Sequence, residues 1–195
     1  PYCSGILFCC GSYIRRRMIM KRLWRRRLTF LVLCVSVSFF WGLTLCAQEM
    51  ASVLRVADGD TIMIDYNSRR EPIELIGIDA PESTMNRKAV LEARRTGESL
   101  LDIASKGIDA KSFVERIVRK WDVIALSFHV QGRNNEGMLQ GYVYLPDGRM
   151  LNEEIVRAGF AKAITTDPKM KYQERFLEAQ KEARMYRRGL WKPPQ

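Results

Sequence analysis

The chain from Gln48 onward contains no cysteine and a single histidine, His129. All five cysteines precede this segment, at Cys3, Cys9, Cys10, Cys34 and Cys46. A segment without cysteine forms no disulfide and offers no thiolate to a metal, and one histidine cannot build a histidine-rich zinc site. His129 lies in an apolar run, which favours an ordinary strand or loop histidine. This composition excludes the common zinc centres.

The same segment also lacks a strong excess of charge. The whole chain has 32 basic and 22 acidic residues, for a formal net charge of +10. Eight of the basic residues and none of the acidic ones lie in residues 1–47, which leaves 24 basic against 22 acidic residues after them. The bulk charge of the segment is therefore weak evidence for nucleic-acid binding.

Residues 1–47 have the pattern of a leader. The basic residues precede an uncharged apolar run of 20 residues, Leu28 to Ala47. A positive region followed by an apolar region is typical of a secretory signal, and the run is also long enough to anchor the chain in a bilayer. We favour cleavage near Gln48, with an uncleaved anchor as the alternative. Either way the protein is expected to be secreted or periplasmic, with membrane contact only through residues 28–47.

Three strand-like runs begin the segment at residues 48–195. Ala51–Val56 and Thr61–Tyr66 are joined by a tight turn, and Pro72–Asp79 follows as the third strand. Pro81 lacks a backbone donor and marks the end of that strand. The three runs predict a β-meander.

The rest of the segment mixes helices and two further strands. Ser83–Lys106 is polar and is predicted as a mobile, partly helical insertion, after which Asp109 caps a helix. The later elements are strands Val123–Val130 and Gln140–Leu145, a polar loop Gln131–Gly137, a short helix from Leu151 and a last helix from about Lys171 to Arg187. This order fits an α+β, mainly β fold: a five-stranded OB-type barrel with about three helices.

Four carboxylates lie in two turns. Asp58 and Asp60 flank Gly59, and Asp79 and Glu82 flank Ala80-Pro81. If the strands pair as a meander, these turns converge, and carboxylates with a backbone carbonyl make a hard-oxygen site that suits Ca²⁺. Ordinary turn chemistry explains the same residues equally well.

Several longer motifs follow one another along this segment. They are Val56-Ala57-Asp58-Gly59-Asp60-Thr61, Leu75-Ile76-Gly77-Ile78-Asp79-Ala80-Pro81-Glu82, Tyr142-Val143-Tyr144, Leu151-Asn152-Glu153 and Gly189-Leu190-Trp191. In this order they resemble the signatures of the staphylococcal nuclease (thermonuclease) family. The resemblance runs from about Ala51 to Trp191 and is broken mainly by residues 83–106. It implies the five-stranded OB barrel.

The resemblance also implies a function and a site. Family members are Ca²⁺-dependent phosphodiesterases that cut DNA and RNA, so nucleic acid is the expected substrate of a monomeric enzyme. Asp60 and Asp79 match the two carboxylate ligands of the metal, and Ala80 matches the residue whose backbone carbonyl is a further ligand. Glu82 matches the glutamate that positions or deprotonates the attacking water.

Two positions depart from the family pattern. The family clamps the phosphate with two arginines, and this chain has Glu74 and Met138 at those positions. Losing one such donor costs about 3–4 kcal/mol of transition-state stabilisation. Arg133 is a candidate replacement, as are four cations of the insertion, Arg87, Lys88, Arg94 and Arg95. The alternatives are an active or weakened metal-dependent nuclease, a degenerate module that binds nucleic acid or a protein partner without cutting, and a purely structural role.

Overall fold

The computed structural model describes residues 48–164 and 170–193, which lie within one compact unit of the chain. The expected leader, residues 1–47, lies outside this range. Among the helices at 48–164 and 170–193, none combines the length and the apolar character that crossing a bilayer requires.

The described residues form seven strands and four α-helices. The strands are β1 (Glu49–Val56), β2 (Thr61–Tyr66), β3 (Arg69–Leu75), β4 (Ile78–Asp79), β5 (Val123–Arg133), β6 (Leu139–Tyr144) and β7 (Lys162–Ala163). The α-helices are α1 (Arg87–Thr96), α2 (Leu100–Ile117), α3 (Leu151–Arg157) and α4 (Gln173–Met185), followed by a 3₁₀ turn at Gly189–Trp191.

Five of the strands close into a barrel. The order is β1-β2-β3-β6-β5, with β3 and β6 parallel and the other neighbours antiparallel. Side chains alternate along each strand, so Ile62 and Ile64 of β2 and Ile73 and Leu75 of β3 point into the core and are fully buried or nearly so. The predicted five-stranded OB-type barrel is confirmed.

The third strand, Arg69–Leu75, begins and ends earlier than the predicted Pro72–Asp79. β3 ends at Leu75, the chain turns at Ile76-Gly77, and Ile78–Asp79 forms β4, which pairs with β7 outside the barrel. Gly77 has a φ of +82°, and a Cβ there would lie 2.6 Å from the Phe176 ring. The prediction was wrong because the apolar run continues through a break that a glycine makes possible.

The segment Ser83–Lys106 is more helical than predicted. α1 and the first part of α2 fill most of it, and α2 begins at Leu100, where the Ser99 side chain caps it, rather than at Asp109. The structure therefore has four α-helices among the described residues, one more than predicted. The buried residues of α2 include Ala104, Gly107 and Ala110. Such small side chains give little hydropathy signal, which is why the predicted start of this helix, at Asp109, was too late.

β5 also continues beyond its predicted end at Val130. It reaches Arg133, which pairs with Leu139 of β6, so the predicted loop Gln131–Gly137 is shorter in the structure. The pair between Arg133 and Leu139 lies at the end of this extension, beyond residues whose own sequence is polar.

Helix α4 packs on the barrel through one face. Phe176, Ala179 and Ala183 are buried and Tyr172 is half-buried, as their helical spacing predicts. The Phe176 ring is fully buried, 6.2 Å from the ring of Tyr142 between centroids. This single aromatic fills the space between α4, the barrel and the Gly77 turn.

Phe176→Ala is expected to lower the free energy of unfolding by about 3–5 kcal/mol, because it removes a large buried ring and leaves a cavity. Leu177→Ala is the matched control, since Leu177 is the next residue of α4 and is 39% exposed. It should cost about 0.5–1 kcal/mol. Denaturant unfolding of both variants measures the difference. A loss below about 1 kcal/mol for Phe176→Ala would contradict this packing.

Candidate active site

Two turns form the centre of the site, and hydrogen bonds join them. The first, between β1 and β2, carries Asp58 and Asp60, and the second follows β4. The Ala80 N–H donates to Asp60 Oδ2 at 3.0 Å, and the Ser83 N–H donates to Asp58 Oδ1 at 3.2 Å. Each aspartate of the first turn thus accepts a backbone hydrogen bond from the second, which holds the two turns in contact.

Helix α2 supports both turns through small residues. A Cβ at Gly107 would lie 2.2 Å from the carbonyl carbon and oxygen of Glu82, and a Cβ at Gly59 would lie 2.8 Å from Cβ of Ala110. Only residues with little or no side chain allow such an approach. Gly107 and Ala110 are therefore site-supporting residues that the sequence analysis missed. Their spacing of three on a helix was the available signal.

Three predicted site residues surround one cation, the ammonium of Lys88 on the first turn of α1. Lys88 Nζ lies 2.8 Å from Glu82 Oε1, 3.1 Å from Asp79 Oδ1 and 3.5 Å from Asp60 Oδ2. We call Asp60, Asp79 and Glu82 the carboxylate cluster. Of the four insertion cations considered from sequence, Lys88 is the one whose ion pairs to this cluster are seen among the described residues.

The electrostatics of the cluster depend on that cation. Burial raises the pKa of Asp60, although the Lys88 ammonium and the Ala80 N–H oppose the effect. Burial also opposes ionisation of Glu82, but hydrogen bonds from Lys88 and Asn86 outweigh it and hold the pKa of Glu82 below its ordinary value. The carboxylates in turn overcome burial and raise the pKa of Lys88. Glu82 is therefore ionised at neutral pH.

Glu74 and Met138, at the two positions where the family has arginines, are connected by hydrogen bonds in the structure. Glu74 Oε2 accepts hydrogen bonds from Asn134 Nδ2 at 2.8 Å and from Gln140 Nε2 at 2.9 Å. Asn134 Oδ1 accepts one from the backbone N–H of Met138 at 3.0 Å. Glu74 and Met138 are thus linked through one asparagine. The Leu75 N–H donates to the Asp60 carbonyl at 2.8 Å, which places this link beside the first turn.

Arg133 is engaged elsewhere. Its Nη1 donates to Glu71 Oε2 at 2.7 Å and to the Gly137 carbonyl at 2.6 Å, and the hydrogen bond to Glu71 lowers the pKa of that glutamate. The structure therefore does not bring this guanidinium to the carboxylate cluster.

Comparison with known proteins identifies the fold and the motifs together. The profile of the family described as Staphylococcal nuclease homologue matches residues 72–193, more than half of the chain. The chain belongs to this family. The match runs from within β3 to the C-terminal 3₁₀ turn of this nuclease homologue and includes Asp79, Glu82 and Lys88.

Alignments with individual relatives of the nuclease homologue cover most of this chain and most of each relative. A thermonuclease of Staphylococcus hyicus is 30% identical over 77% of this chain and 80% of its own length. An uncharacterized endonuclease of Escherichia coli is 31% identical over 78% of this chain and 83% of its own length. An uncharacterized protein of Methanocaldococcus jannaschii is 27% identical over 71% of this chain. The family supports a nuclease-type hydrolase that acts on nucleic acid.

The residues of the site suit a hard divalent cation. Three carboxylates supply oxygen donors of the kind that Ca²⁺ prefers, and the Ala80 peptide contacts the cluster through its N–H, which donates to Asp60. As they are placed, these oxygens surround the Lys88 ammonium. In the described part of the chain, no three His, Cys, Asp or Glu side chains are set directly for a metal ion. The donor chemistry fits, and Lys88 lies among the donors.

Proposed function

We propose that this nuclease homologue is a Ca²⁺-dependent phosphodiesterase that hydrolyses DNA and RNA, with turnover weakened by the replacement of two arginines. The observation that carries the proposal is the convergence of Asp60, Asp79 and Glu82 on a single cation position. Family membership supports the reaction class.

Each residue of the site has a distinct role in this proposal. Asp60, Asp79 and the Ala80 backbone carbonyl would hold the ion, which when bound polarises the phosphate and stabilises its developing charge. Glu82, whose carboxylate accepts a hydrogen bond from Asn86 Nδ2, would accept the proton of the attacking water. The hydrogen bond from the Ala80 N–H orients the Asp60 carboxylate.

A second candidate is a catalytically degenerate module that binds nucleic acid or a protein partner. The observation that favours it is the carboxylate of Glu74, which accepts hydrogen bonds from Asn134 and Gln140 beside the first turn. A carboxylate at that position repels a phosphate where the family supplies a planar cation.

A nuclease assay with single- and double-stranded DNA and RNA separates the two candidates. We expect slow cleavage with Ca²⁺ and none with a chelator, with nucleic-acid binding measured in parallel. Binding without cleavage would support the degenerate module. Rapid cleavage in the presence of chelator would contradict the proposed metal dependence.

We also propose that residues 1–47 direct the protein out of the cytoplasm. The uncharged run that follows eight basic residues supports this proposal. The expected result is a mature N-terminus near Gln48 in the secreted or periplasmic fraction, measured by N-terminal sequencing. Full-length protein in the membrane would favour the anchor at residues 28–47, and full-length protein in the cytosol would contradict export.

A further inference from the structure

The side chain of Lys88 occupies the space where the carboxylate cluster converges. Its ammonium lies within 3.5 Å of an oxygen of Asp60, Asp79 and Glu82. We propose that Lys88 sets the divalent-cation affinity of this cluster: it is an internal counter-ion that Ca²⁺ has to displace in order to bind. The inference rests on the metal site of the proposed function, and it adds the residue that controls loading of that site.

The ammonium and a metal ion compete for the same oxygens. Ca²⁺ binds carboxylate oxygens at about 2.3–2.6 Å, so an ion shared by Asp60 and Asp79 would lie in the region that Lys88 Nζ now fills. Two cations at such short separation repel each other strongly, most of all where the surroundings are partly buried. Asp60 is 7% exposed and Glu82 is 8% exposed. Joint occupancy is therefore unfavourable, and the two cations exclude each other.

The structure also allows Lys88 to leave. The lysine side chain is 50% exposed, so its long aliphatic stem has solvent on one side. In α1, Ala89 is the one buried residue, and a partly buried ion pair between Glu92 and Lys162 at 3.4 Å joins the helix to β7. Withdrawing the ammonium therefore exposes little apolar surface and leaves α2 and the barrel unchanged.

The cluster without Lys88 would be an uncompensated group of negative charges. Asp60 and Glu82 are both nearly buried, and Asp58 lies on the same turn as Asp60. Removing the ammonium should destabilise the metal-free state and so strengthen the binding of any divalent cation that replaces it. The prediction is that metal affinity rises when the lysine charge is removed.

The test is a Ca²⁺ titration of the full chain by calorimetry, with Lys88→Met, Lys88→Arg and a matched control, Arg87→Met. Arg87 is the exposed neighbour of Lys88 on the same helical turn, so its substitution removes the same charge. We expect Lys88→Met to bind Ca²⁺ about tenfold or more tightly than the unsubstituted chain. Lys88→Arg, which keeps the charge, and Arg87→Met should stay within about threefold of it.

Hydrogen exchange of residues 87–96 supplies a second readout. In chelator, Lys88→Met should exchange faster than the unsubstituted chain in this helix, because the ion pairs that hold its first turn are gone. Addition of Ca²⁺ to the unsubstituted chain should produce the same increase. Exchange in α2 and the barrel strands should stay unchanged in all variants, which also reports that they are folded.

The outcomes separate this inference from the proposed function. Unchanged or weaker Ca²⁺ binding in Lys88→Met would overturn the inference, and metal-dependent cleavage by the unsubstituted chain would still leave the proposed function intact. Ca²⁺ binding by Lys88→Met alone would support the inference and would show that the unsubstituted chain is not a Ca²⁺ enzyme. Absence of Ca²⁺ binding in every variant would overturn the inference.

Discussion

Asp60→Asn is expected to lower the rate of phosphodiester cleavage by about 10³-fold in the presence of Ca²⁺. Asp60 is nearly buried, accepts the Ala80 N–H through Oδ2, and shares Lys88 with Asp79. The substitution removes one charged oxygen from the proposed metal ligands. Metal-based stabilisation of the transition state amounts to several kcal/mol, and each 1.36 kcal/mol is about a tenfold change in rate.

The fold should survive this change, which makes the rate informative. Asparagine keeps an oxygen that can accept the Ala80 N–H, and burial disfavours the ionised carboxylate that it replaces. The measurements are kcat and Ca²⁺ affinity, together with the unfolding midpoint in chelator. Asp109→Asn, at an exposed position of α2, is the charge-matched control and should leave the rate unchanged. A loss below about tenfold for Asp60→Asn would contradict its role as a metal ligand.

Glu74→Arg combined with Met138→Arg is expected to raise nuclease activity by about 10²–10⁴-fold. Each arginine would supply a few kcal/mol of stabilisation to the charged phosphate. The structure favours the geometry, since Glu74 and Met138 are linked through Asn134 beside the turn that carries Asp60. The substitution also removes a carboxylate that would repel the substrate.

The Glu74 substitution also removes hydrogen bonds, and a control variant has to separate this structural cost from the effect of the added arginines. Asn134 and Gln140 lose the acceptor that Glu74 supplies, so the loop before β6 and β6 itself each lose one hydrogen bond. Glu74→Gln is the matched control, because it removes the charge, keeps an acceptor and adds no guanidinium. It should improve substrate binding and leave kcat nearly unchanged, whereas the double arginine variant should raise kcat.

Two rival roles predict the opposite result. In one, Glu74 is an extra metal ligand; in the other, Lys88 or Arg133 already serves the phosphate. Under either rival the unsubstituted protein cuts efficiently, and the double substitution lowers its rate or its Ca²⁺ affinity. The structure argues against Glu74 as a metal ligand, because its carboxylate accepts hydrogen bonds from two neutral amides. Glu74 also lies outside the set of carboxylates that pair with Lys88.

The amino-acid sequence by itself determined the barrel and the chemical character of the site. Strands with alternating apolar residues, such as Thr61–Tyr66, and turns such as Asp58-Gly59-Asp60 depend on residues close in the sequence. They can therefore be predicted from short stretches of sequence. The two positions without arginine, Glu74 and Met138, are also recognised from sequence, by their place relative to the ordered motifs.

Only the tertiary structure decided which charges meet. Lys88 comes from a polar segment with no local signal for a site, and its contact with Asp60 depends on how α1 and α2 pack after the second turn. That packing depends on Gly107 and Ala110, which have little or no side chain and so allow a close approach to the two turns. A hydropathy pattern does not reveal this role. The strand break at Gly77 and the hydrogen bond from Arg133 to Glu71 could not be predicted from the sequence either, because both depend on partners distant in the chain.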